Sequence, residues 1–434
     1  MDISPSENEI DQEKELINNG MTRYLIYDIK VNPNTTNKTR QFKNIRTMEV
    51  NIVITNLMSC IRKGHHLHYS RDNSWTKKSK YNKKGINNKN IIKAIDQLNE
   101  IGYLDNFKTS PQAIDQYRLS SWLTPTKLFI ETFCDTDELL EKADISYIQN
   151  IERIILRCKK KKKTDYLDNN YTREARRVLN GINLINTSHN ILDKDGVILD
   201  NLYSRIFNNG KFDQGGRFYG AGVLNIENKM SNDRLRITID GEPICEIDYS
   251  GIHIQLLAIL LDVEVDNENI IDIYLTPLPL LYRNIENRNL IKTSINTMIN
   301  STSLRDAVGS IQHNVMNVSP EGTYCFKTAS DVVIAINDTF PELKEAFCNP
   351  SSTGLLLQNI ESNIAHSILN VFVEAEMPCL VIHDSFIVRQ RDAELLVKTM
   401  KEEFNRAMEV DGIVKMKIQK INADGTIYSA DCSC

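Results

Sequence analysis

Residues 379–388 read CLVIHDSFIV, two apolar runs separated by a His-Asp pair. Short runs rich in Val, Ile and Phe predict two β-strands joined by a tight bend, with His383 and Asp384 at its tip. A second apolar strand, PICEIDYS at 243–250, contains Asp248 near its end, and GIHIQLLAILLD (251–262) carries the chain on as a helix. Further on, GLLLQNIESNIAHSILNVFVEAEMP (354–378) places Leu356, Ile360, Ile364 and Ile368 on one helical stripe. After the hairpin, Asp392 is positioned to cap a final helix, AELLVKTMKEEFNRAM (393–408). The C-terminal half thus reads as strand and helix mixed around two acidic positions at strand ends.

Working outward, the chain has 434 residues, 25% of them charged and 41% hydrophobic, with a formal net charge of -5. That length predicts two or three domains, and the balance excludes a mostly disordered chain. No apolar run approaches the ~18 residues of a membrane span, and residues 1–20 are acidic rather than signal-like. Nine cysteines without a CxxC pair argue against a disulfide framework. The expectation is a cytoplasmic protein with no membrane partner.

The near-neutral total conceals an asymmetry. Between Met21 and Ser110 there are 17 Lys/Arg against 6 Asp/Glu, whereas the opening MDISPSENEIDQEKE is acidic. A basic module of this kind points to a polyanion partner. Within it, Val50–Ile61 and IIKAIDQLNEIGYL (91–104) read as helices, with Gly102 as a stop. The strand-like runs GYLDNF (102–107) and IDQYRL (114–119) follow, separated by TSPQ. Helix, glycine, strand, turn, strand is the succession of a winged helix, and an ordinary small α+β packing domain is the alternative. From Pro125 to Asp200 the pattern is helical, with Lys159 to Lys163 between ISYIQNIERIIL and REARRVLNGINLI. That lysine run reads as a solvated loop or helix end.

Asp248 and Asp384 are not needed for packing. Two converging carboxylates can share hard divalent cations that take substrate phosphates as further ligands, although isolated strand-end aspartates often form turns. Other signals carry less. His65, His66 and His68 lack a completing Cys or carboxylate, and Gly215, Gly216, Gly220 and Gly222 are not followed by GK[ST].

As an ordered set, KFDQGGRFYGAG (211–222), DYSGIHIQLLA (248–258), RNLIKTSINTMIN (288–300) and VIHDSFIV (381–388) resemble the palm shared by A-family DNA polymerases and single-subunit, bacteriophage-type RNA polymerases. The resemblance implies an α+β fold: a right-hand polymerase palm with reduced helical fingers and thumb, preceded by a winged-helix-like N-terminal domain. The implied divisions are 1–20, an acidic disordered tail; 21–125, the basic nucleic-acid-binding domain; 126–205, a helical, thumb-like segment; and 206–434, palm and fingers.

The resemblance further implies that Asp248, Asp384 and the backbone carbonyl of Tyr249 hold two Mg2+ ions, for which Mn2+ can substitute. Arg288 and Lys292, one helical turn apart, would grip the incoming triphosphate. Arg217, Gln358, His383 and Ser385 would meet template and primer, with His253 and Asn296 near the nucleotide. The implied partners are template and primer, dNTP or rNTP, and an accessory replication subunit or helicase. The implied activity is DNA polymerisation, primase-like, for a plasmid, phage or mobile element. A compact RNA polymerase and a non-catalytic nucleic-acid-binding protein are the rivals. His253 stands where the DNA enzymes carry a glutamate, Asn296 and Asn300 replace an aromatic, and Ser385 follows Asp384 as in the RNA enzymes.

Overall fold

The computed structural model describes residues 22–26, 28–30, 38–39, 47–71, 78–109, 120–226, 232–262, 274–320, 322–349, 353–412 and 414–433. The acidic tail and the run IDQYRL lie outside them. Among the described residues no helix is long and apolar enough to cross a membrane. The architecture is mixed α+β, built on two hydrophobic cores.

The first core lies under a four-stranded sheet of β1 (Thr22–Tyr24), β2 (His66–Tyr69), β3 (Leu104–Phe107) and β4 (Ser121–Pro125), in the order β1-β2-β4-β3. Helix α1 (Thr47–Ile61), TMEVNIVITNLMSCI, is buried on every side, as expected of an interior helix with little polar face. Helix α2 (Asn88–Glu100) is amphipathic: Ile91, Ala94, Ile95 and Leu98 face the core while Lys89 and Lys93 are exposed. The Asn87 side chain caps it by accepting from the Lys89 N–H at 2.9 Å. Helices α3 (Lys127–Phe133) and α4 (Asp137–Asn150) complete this core. Helix α2, Gly102 and β3 stand where helix, glycine and first strand are expected; the second strand expected at 114–119 lies outside the described residues, and β4 is a later segment. Strands β3 and β4 are two of four in one sheet, and among the described residues no separate winged-helix substructure stands out. The GHHLH segment supplies β2, where His65 and His68 are buried.

The second core begins at β5 (Ile154–Leu156), where ERIIL, expected as helix, becomes strand; β-branched Ile side chains fit a pleated surface better than a helical one. Helix α5 (Asn170–Ser188) follows, then β6 (Ile191–Leu192), β7 (Ser204–Phe207) and β8 (Gly215–Tyr219). Strands β5, β7 and β8 form a small sheet. The larger sheet adds β9 (Thr238–Ile239), β10 (Glu242–Tyr249), β11 (Leu380–Ile382), β12 (Ser385–Arg389), β13 (Lys415–Ile421) and β14 (Ile427–Ser433). Its main path is β11-β12-β10-β13-β14, and β9 joins β10 to β6. Helices α6 (Ile252–Leu260), α7 (Ile285–Asn300), α8 (Leu304–Ile311), α9 (Ala329–Thr339), α10 (Thr353–Glu374) and α11 (Ala393–Met408) surround it.

The pleat of β10 decides what the larger sheet presents. Successive side chains alternate, so Tyr249 turns toward α11, where its hydroxyl donates to the Met400 carbonyl at 2.6 Å and its ring meets Phe404. Glu246 and Asp248 therefore share the other face.

Two details differ from expectation. On α10 the buried stripe is Leu357, Glu361, Ile364, Ala365, Ile368 and Phe372, and Leu356 is exposed, because Leu357 rather than Leu356 continues the apolar spacing inward. Asp392 does occupy the N-cap position of α11 but makes no side-chain cap; its carboxylate accepts from Arg389 Nε at 2.7 Å, a charge-assisted bond that wins over a backbone amide.

Candidate active site

The site forms where β10 and the β11–β12 hairpin run side by side. Antiparallel register sets Asp248 opposite Ser385, and the Tyr249 N–H donates to the Asp384 carbonyl at 3.3 Å. The two aspartates therefore sit at the same end of adjacent strands. The hairpin turn consists of His383 and Asp384, and His383 has φ 60°, a left-handed conformation costly for a residue with a Cβ. Register with both strands holds it there.

Both carboxyls lie above the usual carboxylate range. Burial pushes Asp248 up first, followed by the charges of Asp384 and Glu246, while Lys292 and Arg234 oppose. For Asp384 burial again leads, then the charge of Glu361, with Arg217 and His253 opposing. The pair shares its repulsion, and protons bind to it as a unit. Lys292 on α7 acts electrostatically on Asp248 and opposes the rise of its carboxyl. Arg288, one turn earlier, lies with Lys292 over the Tyr274 ring, at 5.3 and 5.8 Å from its centroid.

A second layer holds the cations and acids in register. Arg217 on β8 forks onto Glu361 of α10, Nε to Oε1 at 3.0 Å and Nη2 to Oε2 at 2.5 Å. His253 Nε2 lies 2.8 Å from the same carboxylate and 3.3 Å from Arg217 Nη2. Glu361 is 1% exposed; burial alone would raise its carboxyl, yet His253 and Arg217 hold it below the ordinary range. Beside it Tyr219 stands edge-on to His383, and burial, then Arg217, lowers the His383 imidazole. Buried Arg205 fixes β8 to α10, donating from Nε to the Gly216 carbonyl at 2.9 Å and from Nη2 to Asn363 Oδ1 at 3.0 Å. Gly216, at φ 89°, permits that approach: a Cβ there would stand 2.6 Å from Phe207 and 2.8 Å from Ser362.

The remaining expected residues fall around this centre. The buried Ser385 hydroxyl donates to Glu246 Oε1 at 2.7 Å, and Arg234 pairs with the same oxygen at 3.0 Å. Asn296 is exposed on α7, and Gln358 reaches Asn300 Oδ1 at 3.5 Å across the crossing of α7 with α10. Glu361, Glu246, Arg234, Tyr274 and Tyr219 were not anticipated. Glu361 carried a legible signal: an ionisable residue on an otherwise apolar helical stripe needs a buried partner.

Among the described residues no group of three or more His, Cys, Asp or Glu side chains is arranged to hold a metal ion. What is present is a pair of hard oxygen donors, half-buried, with the charge of Asp384 acting on Asp248. Such a donor set suits a divalent cation that takes its other ligands from water and substrate phosphates.

No protein-family model matches the chain, and no curated protein matches it. Among solved structures it is similar to the POL domain of Pol1 from M. smegmatis in complex with DNA primer-template and dNTP, at 12% sequence identity and a TM-score of 0.31. The match covers 74% of this chain and 59% of that one, so the chain spans less than two thirds of its neighbour.

Proposed function

We propose that the chain is a template-directed nucleotidyltransferase, a compact DNA polymerase of primase-like character that extends a primer strand with nucleoside triphosphates. The observation that carries this reading is the placement of Asp248 and Asp384 at one end of adjacent strands, with Lys292 in electrostatic reach. Two repelling, half-buried acids have no role in packing, and their charge is offset when cations bind between them.

In this reading Asp248, Asp384 and the Tyr249 carbonyl hold the Mg2+ ions, and Mn2+ can replace them. When bound, the metal supplies Lewis-acid activation of the primer hydroxyl and charge stabilisation at the phosphates. The chain's own residues do the rest. Lys292 and Arg288, on one face of α7, bind the triphosphate and offset charge that builds on the leaving pyrophosphate. Arg217, His253 and Glu361 form a fixed unit beside the nucleotide sugar. His383 and Tyr219 border the primer end, and Gln358 with Asn296 meets the template-primer duplex at the rim. Ser385 acts indirectly, holding Glu246 beside Asp248. The basic N-terminal half binds template, and an accessory subunit or helicase would hold long templates in place.

Incorporation on primed and unprimed single-stranded templates with Mg2+, using dNTPs or rNTPs, tests the reading. Asp248→Asn and Asp384→Asn are each expected to lower the rate by roughly a thousandfold or more. No incorporation by the unaltered chain under any condition, with nucleic-acid binding intact, would leave it a binding protein. Preference for rNTPs would make it an RNA polymerase instead, the reading favoured by Ser385 after Asp384.

A further inference from the structure

A cavity of about 560 Å³ opens between the two cores, bordered by β1 and β2 on one side and by β5, β7 and the end of β8 on the other. That volume falls in the range of ligand pockets. Its walls combine aromatic rings with basic side chains. Tyr24 is 56% exposed on the N-terminal side, and on the other Lys163 Nζ stands 5.1 Å from the centroid of the Tyr81 ring. Arg153, 5% exposed, also lines the cavity, and among the described residues its Nε has no hydrogen-bond partner. A second buried donor, Arg23 Nη2, is likewise unpartnered at the cavity wall.

A buried guanidinium donor left without an acceptor is costly unless a ligand satisfies it. The acids that also border the cavity do not fill that role. Asp28 accepts from the backbone amides of Lys83 and Lys84, Glu152 is paired with Arg176, and Asp200 with Arg23. The cavity therefore offers phosphate-binding cations next to rings on which a base can stack, the pairing that recognises single-stranded nucleic acid.

We infer that this cleft binds single-stranded nucleic acid and leads the template toward the carboxylate pair. The inference rests on the polymerase reading for its direction, and Ser204 and Gly220 are among the residues that line the cleft. Gly220 directly follows Tyr219, whose ring meets His383 beside Asp384. A strand stacked on Tyr24 and tracked by Arg153 and Lys163 thus leaves the cleft at the strand that carries Arg217. The N-terminal half contributes its sheet edge to this path, not the exposed face of α2.

Fluorescence anisotropy of a labelled oligo-dT of about twelve nucleotides, titrated with the full chain, tests this. Tyr24→Ala is expected to weaken binding roughly tenfold. Lys163→Gln should lower the salt slope of binding by about 0.7, with both variants melting as the unaltered chain does. Loss of strand binding in the cleft variants sustains the inference even if the unaltered chain incorporates nothing, in which case the polymerase reading alone falls. Incorporation with strand binding and salt slope untouched in both variants overturns the inference and leaves the polymerase reading standing. Displacement of the oligonucleotide from the cleft by dTTP alone, dependent on Tyr24, would overturn it in favour of a mononucleotide pocket.

Discussion

Two polar clusters in this molecule, one buried and one half-buried, treat charge in opposite ways. In the first core, Arg23 is 1% exposed and surrounded by partners: Asp144 at 2.5 Å, the Ser59 carbonyl at 2.6 Å and Asp200 at 3.1 Å, with the Tyr147 ring 4.8 Å away. Burial works against the Asp200 charge, yet Arg23 and His65 bring that carboxyl down to about 2. In the second core, Asp248 and Asp384 are both driven upward by burial and by neighbouring acids. The first cluster pairs its cation with two acids within the fold, although Arg23 Nη2 itself has no hydrogen-bond partner. The second leaves its charges unresolved, and an unresolved half-buried pair at a strand end is where a ligand is expected.

The largest effect that sharpens this contrast is on the paired side. Arg23→Met would leave Asp144 and Asp200 buried without their cation and should cost about 3–5 kcal/mol of stability. Urea denaturation measures it as a lowered midpoint. A midpoint matching that of the unaltered chain would mean that the two acids find other partners, and the contrast would fail.

Acid provides the next test, because His65 and His68 of the first core respond to pH in the opposite sense to Asp248 and Asp384. Burial is the first cause in both cases, lowering His65 and His68 from 6.5 to about 4. Their folded-state values are depressed, so the stability they contribute is complete above pH ~6.5 and is lost as pH falls through ~4. Each contributes at most about 3 kcal/mol to that loss. Denaturation midpoints between pH 7 and 4 in a His68→Phe variant, which keeps a ring beside Trp122, should fall less steeply than in the unaltered chain. Equal slopes would remove His68 from the account.

How much of this was legible follows from the range of the interactions involved. The β11–β12 hairpin, β10 and the aspartates at their ends were readable because two-residue periodicity and a polar break are local signals. Arg288 and Lys292 were readable because helical spacing alone puts them on one face. The Arg217–Glu361–His253 unit was not, since its members lie on three elements and meet only through tertiary packing. Placing the α10 stripe on Leu356 instead of Leu357 turned Glu361 outward on paper and concealed it. Strand β1 was missed because three residues, one of them a buried arginine, carry no apolar alternation. Its assignment depends on Asp144 and Asp200, far along the chain.

The smallest expected effect is also the one that separates the clusters most directly. The raised carboxyls of Asp248 and Asp384 favour the folded state below the unfolded-chain value, and that contribution is lost as pH rises through their folded values. At pH 8 without metal the unaltered protein therefore bears the full cost of the repelling pair. Asp248→Asn keeps the shape of the side chain and removes one charge, so it should raise the metal-free Tm by roughly 2–4 °C at pH 8. Added Mg2+ should raise the Tm of the unaltered chain by mass action and leave the variant nearly unmoved. This is the reverse of the outcome at Arg23, where removing a charge destabilises. A lowered metal-free Tm in Asp248→Asn would show that the aspartate is held by partners as Asp200 is, and that both clusters are structural.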